Sequence, residues 1–188
     1  MSKSYFVEKY KFEFEYGMLI YDPYIVQLNV DSETFMLELY EKLYAFMATG
    51  KDVEDEVYID VCGVSVRLAS VLEQGMGQFN YEIKEPDIID LDSVEPIKIG
   101  ERGGNLFMME KLEYLPDTED DFNIRFIPVE IDSRKTFEEE FKQACEKYAR
   151  RGEIYVEFYD FYFSMDDVCE FERNKLTVFY PRLTAIPQ

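Results

Sequence analysis

Two stretches of this chain, LNVDSETFMLELY at residues 28–40 and VEIDSRKTFEEEF at 129–141, carry the same succession of features. Each runs from apolar residues into an Asp-Ser pair and then into charged residues threaded by a stripe of large apolar ones. The stripe runs on past each stretch, as Phe35, Leu39, Leu43 and Phe46 after the first Asp-Ser pair and Phe137, Phe141, Cys145 and Tyr148 after the second. Residues three and four apart share one helix face, so both stretches predict a helix with one buried side. Asp31-Ser32 and Asp132-Ser133 stand where the free N–H groups of a first turn need acceptors. Thr136 with Glu139 adds a capping box, and Gly50 and Gly152 sit where a helix closes. Downstream, EVYIDV at 56–61 is matched position by position by EIYVEF at 153–158.

A strand–helix–strand unit is too small to cover its own helix face, so two copies would most simply share a sheet or pack face to face. The expectation is an α+β fold built from two tandem β-α-β-type repeats, about 24–61 and 125–158, with antiparallel hairpins. The helices should run over about 33–49 and 136–151, and the copies should pack about a pseudo-two-fold axis. In domain terms, residues 1–68 form a first α/β unit, 69–121 an irregular acidic connector with a hairpin, and 122–188 a second unit. The 188 residues suit one domain of this kind, or two small, intimately packed ones, in one compact fold.

Outside the repeated core the pattern is more varied. Tyr10, Phe12, Phe14 and Tyr16 alternate with Lys11, Glu13 and Glu15, a half-buried strand turning at Gly17. A turn at Asp22-Pro23 leads into the strand YIVQLNV, and Gly63 turns EVYIDV into VSVRL. SVLEQGMGQ predicts a short helix ending near Gly75, and Phe79, Tyr81 and Ile83 alternate as a strand. EPDIIDLDSVEP at 85–96 reads as a loop, IKIGERGGNLFMMEKLEYL as a hairpin around Gly103-Gly104-Asn105, and PDTEDD as an exposed turn. Near the end, IYVEFYDFYFS reads as one aromatic strand, MDDVCEFERN as a short helix or loop, and LTVFYPRL as a last strand stopped by Pro181.

Charge narrows the partners. The chain has 40 acidic residues against 20 Lys and Arg, no histidine, and a net charge of −20. Residues 1–100 hold 20 acids and 8 bases, and residues 101–188 hold 20 acids and 12 bases, so the acidity runs through folded sequence. Twenty charges match about ten base pairs of duplex, about 34 Å. A compact chain of this length has a radius of gyration of about 16 Å and so a similar long dimension. Direct binding to nucleic acid or to an anionic membrane is therefore disfavoured, and a basic protein partner is favoured. No apolar run approaches a membrane span, and the first residues lack a signal-peptide core. Cys62, Cys145 and Cys169 form no CxxC pair, which argues against a zinc ribbon or disulfide framework and for a reducing cytoplasm.

Catalytic chemistry has little to stand on. Without histidine there is no Ser-His-Asp or Cys-His pair and no imidazole ligand. GERGGN at 100–105 lacks the lysine of a phosphate loop and does not enter a helix. Asp87, Asp90, Asp92 and Glu95, like Asp52, Glu54, Asp55 and Glu56, could offer hard oxygen ligands, but neither set has calcium-loop spacing, and solvated acidic loops explain them. No cofactor and no metal are expected, and the chain reads as a non-enzyme.

The candidate surface combines acids with tyrosine. Glu13 and Glu15 lie two apart on one strand face, Asp60 follows Tyr58, and Glu157 follows Tyr155 at the matching place of the other copy. Asp160 follows close behind, and Glu138 and Glu146 lie off the helix stripe. Glu13, Glu15, Tyr58, Asp60, Tyr155, Glu157 and Asp160 are thus the expected partner-binding residues. Carboxylates at this spacing stand in for a phosphate track, and tyrosine anchors interfaces. The expectation is an acidic inhibitor that occupies the nucleic-acid-binding surface of a basic partner, as anti-restriction and anti-CRISPR mimics do. An immunity protein neutralising a basic nuclease toxin uses the same electrostatics. A carboxylate-based metal-dependent enzyme is the third reading. Burial of the tyrosines in the core would remove the anchors.

Overall fold

In the computed structural model, the described residues are 3–8, 14–15, 18–19, 25–54, 56–76, 80–100, 104–114, 122–173 and 175–186. For Phe14, Glu15, Met18, Leu19, Tyr114, Phe122 and Asn123 the description covers the backbone alone. The fold is α+β, with two compact units, Met1–Val94 and Glu95–Gln188.

The first unit comprises β1 (Ser4–Val7), β2 (Phe14–Glu15), β3 (Met18–Leu19), β4 (Ile25–Gln27), α1 (Ser32–Met47), β5 (Tyr58–Val61), β6 (Val64–Arg67), α2 (Leu68–Val71), β7 (Leu72–Gln74), β8 (Tyr81–Ile83) and β9 (Asp87–Asp90). A three-stranded sheet runs in the order β4-β1-β9, while β2-β3, β5-β6 and β7-β8 are two-stranded ribbons. The core gathers Phe6 from the sheet, Phe35, Leu39 and Leu43 from α1, and Val61, Val64 and Val66 from the β5-β6 ribbon. Alternation along the ribbon sends every second residue inward, and the spacing of four along α1 keeps its three largest buried residues on one side.

The second unit comprises β10 (Ile97–Ile99), β11 (Asn105–Tyr114), β12 (Phe122–Ile131), α3 (Arg134–Arg150), β13 (Tyr155–Phe158), β14 (Phe161–Ser164), α4 (Met165–Val168), β15 (Cys169–Glu172), β16 (Lys175–Val178) and β17 (Leu183–Ala185). Its sheet runs in the order β10-β12-β11-β17, beside the ribbons β13-β14 and β15-β16. Phe137 and Phe141 of α3 meet Phe158 edge to face at 5.5 and 5.1 Å, and Phe141 meets Phe163 at 5.2 Å. Gly104 is required by sterics: a Cβ there would collide with the Ile131 carbonyl oxygen.

From β4 in the first unit and β12 in the second, both units pass through the same elements in the same order, and the registers correspond. Val7 faces Ile25 on β4 and Asp87 on β9, both antiparallel. Met109 faces Ile127 on β12 and Leu183 on β17, again antiparallel. Cys62 and Tyr159 open the two ribbon turns with φ of 50° and 51°. Each ribbon then enters its short helix through the same bond, Leu68 N–H to the Val57 carbonyl and Met165 N–H to the Ile154 carbonyl, both 2.8 Å. Even the tie from the main helix to the turn recurs. Glu38 accepts from the Cys62 N–H at 3.1 Å, and Glu140 accepts from the Tyr159 hydroxyl at 2.6 Å.

Several sequence expectations are corrected. Residues 87–90 form a strand, not part of a loop, because they pair along the edge of β1. Ile97–Ile99 does not fold back on Asn105–Tyr114. It runs parallel to β12, and the hairpin joins β11 to β12 instead. The helix expected up to Gly75 is the single turn Leu68–Val71, after which Leu72–Gln74 turns extended to pair with β8. IYVEFYDFYFS is a hairpin folded at Tyr159-Asp160, not one strand, and Ile154, which alternation along one strand would place with buried Val156, is exposed just before β13 begins. MDDVCEFERN supplies both α4 and β15, and LTVFYPRL yields β16 only to Val178 before β17 begins at Leu183. The expected connector 69–121 contributes β7–β9 to the first unit and β10–β11 to the second. Gly17, the Asp22-Pro23 turn, Gly103 and PDTEDD lie outside the described residues.

The helix caps hold with one change. Asp31 caps α1 by accepting the Thr34 N–H at 2.8 Å and the Thr34 hydroxyl at 3.0 Å. The cap of α3 is Ser133, which accepts the Thr136 N–H at 3.1 Å, while Glu139 turns to Lys135. The Thr34 N–H bond holds the Asp31 carboxyl below its usual value of 3.8. A carboxylate with a depressed folded pKa stabilises above its unfolded value, and that contribution is lost as pH falls through the folded one. Urea midpoints taken on the acid side of pH 4 should therefore fall more steeply for wild type than for Asp31→Asn. Parallel slopes would count against the cap's charge.

Candidate functional site

The outer faces of the two ribbons carry the expected acids and tyrosines. Along β13-β14, Val156, Phe158, Phe161 and Phe163 turn inward and are buried, so Tyr155, Glu157 and Tyr162 are left on the solvent side. The register places Glu157 directly opposite Tyr162. Along β5-β6, Val61, Val64 and Val66 are buried, and Tyr58, Asp60 and Ser65 face outward, with Asp60 opposite Ser65. Tyr58 and Tyr155 are each 55% exposed, so the alternative of buried anchors does not hold.

Glu157 is oriented by phenols. Tyr148 donates to its Oε2 at 3.1 Å and Tyr162 to its Oε1 at 3.5 Å. Loss of water, and after it this bond to Glu157, push the Tyr148 phenol above its usual range. Lys147 and Arg151 lie 5.2 and 6.0 Å from the Tyr148 ring, so cations flank the phenol that holds Glu157. Asp160 is exposed at the ribbon turn, and Tyr159 before it is held by Glu140 and by the Gly100 N–H at 2.8 Å. In the first unit, Asp60 accepts the Gly63 N–H at 3.3 Å, which fixes its carboxylate over the turn.

Of the expected residues, Tyr58 joins Asp60 on one ribbon, and Tyr155 joins Glu157 with Asp160 at the end of the other. Glu13 lies outside the described residues. Glu15 belongs to β2, where its backbone pairs with Met18, and its side chain is not described. Glu146 lies on α3 paired with Lys142 at 3.9 Å. Tyr148 and Tyr162 were missed as site residues. Extending the match of EVYIDV and EIYVEF to EVYIDVCGVSV and EIYVEFYDFYF would have revealed the hairpin and hence Tyr162 opposite Glu157.

The thiols are not poised for chemistry. Burial, and after it the Glu38 carboxylate accepting from Sγ at 3.0 Å, push Cys62 up to about 11. Burial likewise raises Cys145 and Cys169. Among the described residues no group of three or more Cys, Asp or Glu is arranged to hold a metal ion, and no helix is long and apolar enough to cross a membrane. No protein-family model, curated protein or solved structure matches the chain.

Proposed function

We propose that this protein is an acidic binding protein that engages a basic, nucleic-acid-handling partner and competes with nucleic acid for its surface. The observation that carries the reading is the recurrence of an exposed Tyr-x-acid row, Tyr58/Asp60 and Tyr155/Glu157, on the outer face of the corresponding ribbon in each unit. A tyrosine offers rigid amphipathic area at little entropic cost, and the neighbouring carboxylate meets a lysine or arginine. The net charge of −20 steers a cationic partner toward these rows and speeds encounter. With three free thiols, the partner is sought in a reducing cytoplasm.

The test is affinity capture from nuclease-treated lysate with wild type and with Asp60→Lys/Glu157→Lys, followed by competition against DNA and RNA. Wild type should retain a basic nucleic-acid enzyme that is released by nucleic acid and by rising salt. The double variant should bind it at least about tenfold more weakly, the size of one lost interfacial charge pair. Binding that ignores both salt and nucleic acid, or is unchanged in the variant, overturns the reading.

A further inference from the structure

The two main helices differ on the side away from the core. Counted from the first buried phenylalanine of each, Phe35 and Phe137, the outward positions of α3 are Lys135, Glu139, Lys142 and Glu146. They form two i,i+4 ion pairs, Lys135–Glu139 at 3.7 Å and Lys142–Glu146 at 3.9 Å, the usual dress of a solvated helix. The same positions of α1 are Glu33, Leu37, Tyr40 and Tyr44. Leu37 is 62% and Tyr44 59% exposed, and the Tyr40 and Tyr44 rings stack at 6.2 Å with 22° between planes. Tyr40 is fixed in place by its hydroxyl bond to Glu85. Leu37, Tyr40 and Tyr44 recur at i, i+3 and i+7, the spacing of a helix that packs on two sides. α1 therefore has a second apolar stripe, opposite the buried Phe35, Leu39 and Leu43.

The rim of this stripe decides its occupant. Glu33, Glu41 and Glu85 are exposed along it, and the nearby Lys42 is taken up by Glu38 at 3.9 Å. A second copy laid against the stripe would bring one row of glutamates onto another, which costs free energy. A helix with an apolar stripe flanked by lysine or arginine meets both the leucine-tyrosine stripe and its acidic border. We propose that the outer face of α1 is a docking surface for a cationic amphipathic helix of a protein partner, a surface additional to the ribbon faces. Leu37 and Tyr44 are its anchors, and Glu33 and Glu41 set the polarity of what binds.

The probe is a labelled synthetic peptide of about eighteen residues, five helical turns, with a leucine stripe flanked by lysines. A scrambled isomer of equal charge and composition serves as control. The full-length protein should bind the peptide at least about tenfold more tightly than the isomer, as expected when an apolar anchor and not charge alone carries affinity. Leu37→Glu/Tyr44→Glu, which places on α1 the residues α3 carries there, should lose that preference. Glu33→Lys/Glu41→Lys leaves the stripe intact and should weaken the peptide at least about tenfold, and it decides the matter if the first variant fails to fold. Glu139→Ala/Glu146→Ala should bind as wild type does. Equal binding of the scrambled isomer overturns the proposal, as does indifference to both α1 variants. Sedimentation showing a dimer that Leu37→Glu/Tyr44→Glu dissolves, with no peptide preference, overturns it in favour of a second copy.

Discussion

Phe141→Ala should cost the fold about 3–5 kcal/mol, enough to remove a large part of the stability of a domain of this size. Phe141 is fully buried, and its ring meets Phe137 at 5.8 Å, Phe158 at 5.1 Å, Phe163 at 5.2 Å and Tyr180 at 6.2 Å. Three of these partners come from outside the helix, so truncation leaves a cavity that no single side chain can refill, and two edge-to-face contacts are lost with it. Phe141→Leu keeps most of the volume and should cost about 1.5 kcal/mol or less. The measurement is the urea midpoint at unchanged slope. A cost for alanine no greater than that for leucine would mean the aromatic cluster is not the keystone of this core. In the first unit the corresponding residue is Leu39, also fully buried, and Leu39→Ala should fall in the range of about 2–5 kcal/mol.

The opposite sign is expected at Glu8. Its side chain is fully buried, and among the described residues neither carboxylate oxygen has a hydrogen-bond partner. Taking such a group out of water without compensation is costly, so Glu8→Met, similar in length and apolar, should stabilise by about 1–3 kcal/mol. Glu110 is the internal control. It occupies the corresponding place, one residue past Met109 as Glu8 is one past Val7, and its Oε1 has Arg182 Nε at 3.6 Å. Glu110→Met should therefore gain less, or lose stability. If Glu8→Met lowers the urea midpoint, the carboxylate is worth more to the fold than its isolation implies.

Local information was enough for the parts whose causes are local. Helices α1 and α3 are dictated by cap side chains within three residues and by apolar residues at three- and four-residue spacing, so their extents were readable to within two residues of each end. The first strands of both ribbons, with Tyr58 and Tyr155 at matched positions, follow from alternation and from the EVYIDV/EIYVEF match. Where the reading stopped, the cause was a partner distant in sequence. DIID became a strand because β1, more than eighty residues earlier in the register Ser4 to Asp90, offers it a free edge. IKI pairs in parallel with Val129–Ile131, a neighbour that its own glycine-rich flank gives no sign of. The same limit governs the candidate faces. Period two separates Tyr155 and Glu157 from Val156 and Phe158, but it cannot say which set is covered, since both are rich in apolar surface. Packing of α3 against Val156 and Phe158 settles that, and it leaves the tyrosines to solvent. On α1 the sequence placed one stripe against the core, and only the exposure of Leu37 and Tyr44 in the folded unit made the second stripe visible as a surface.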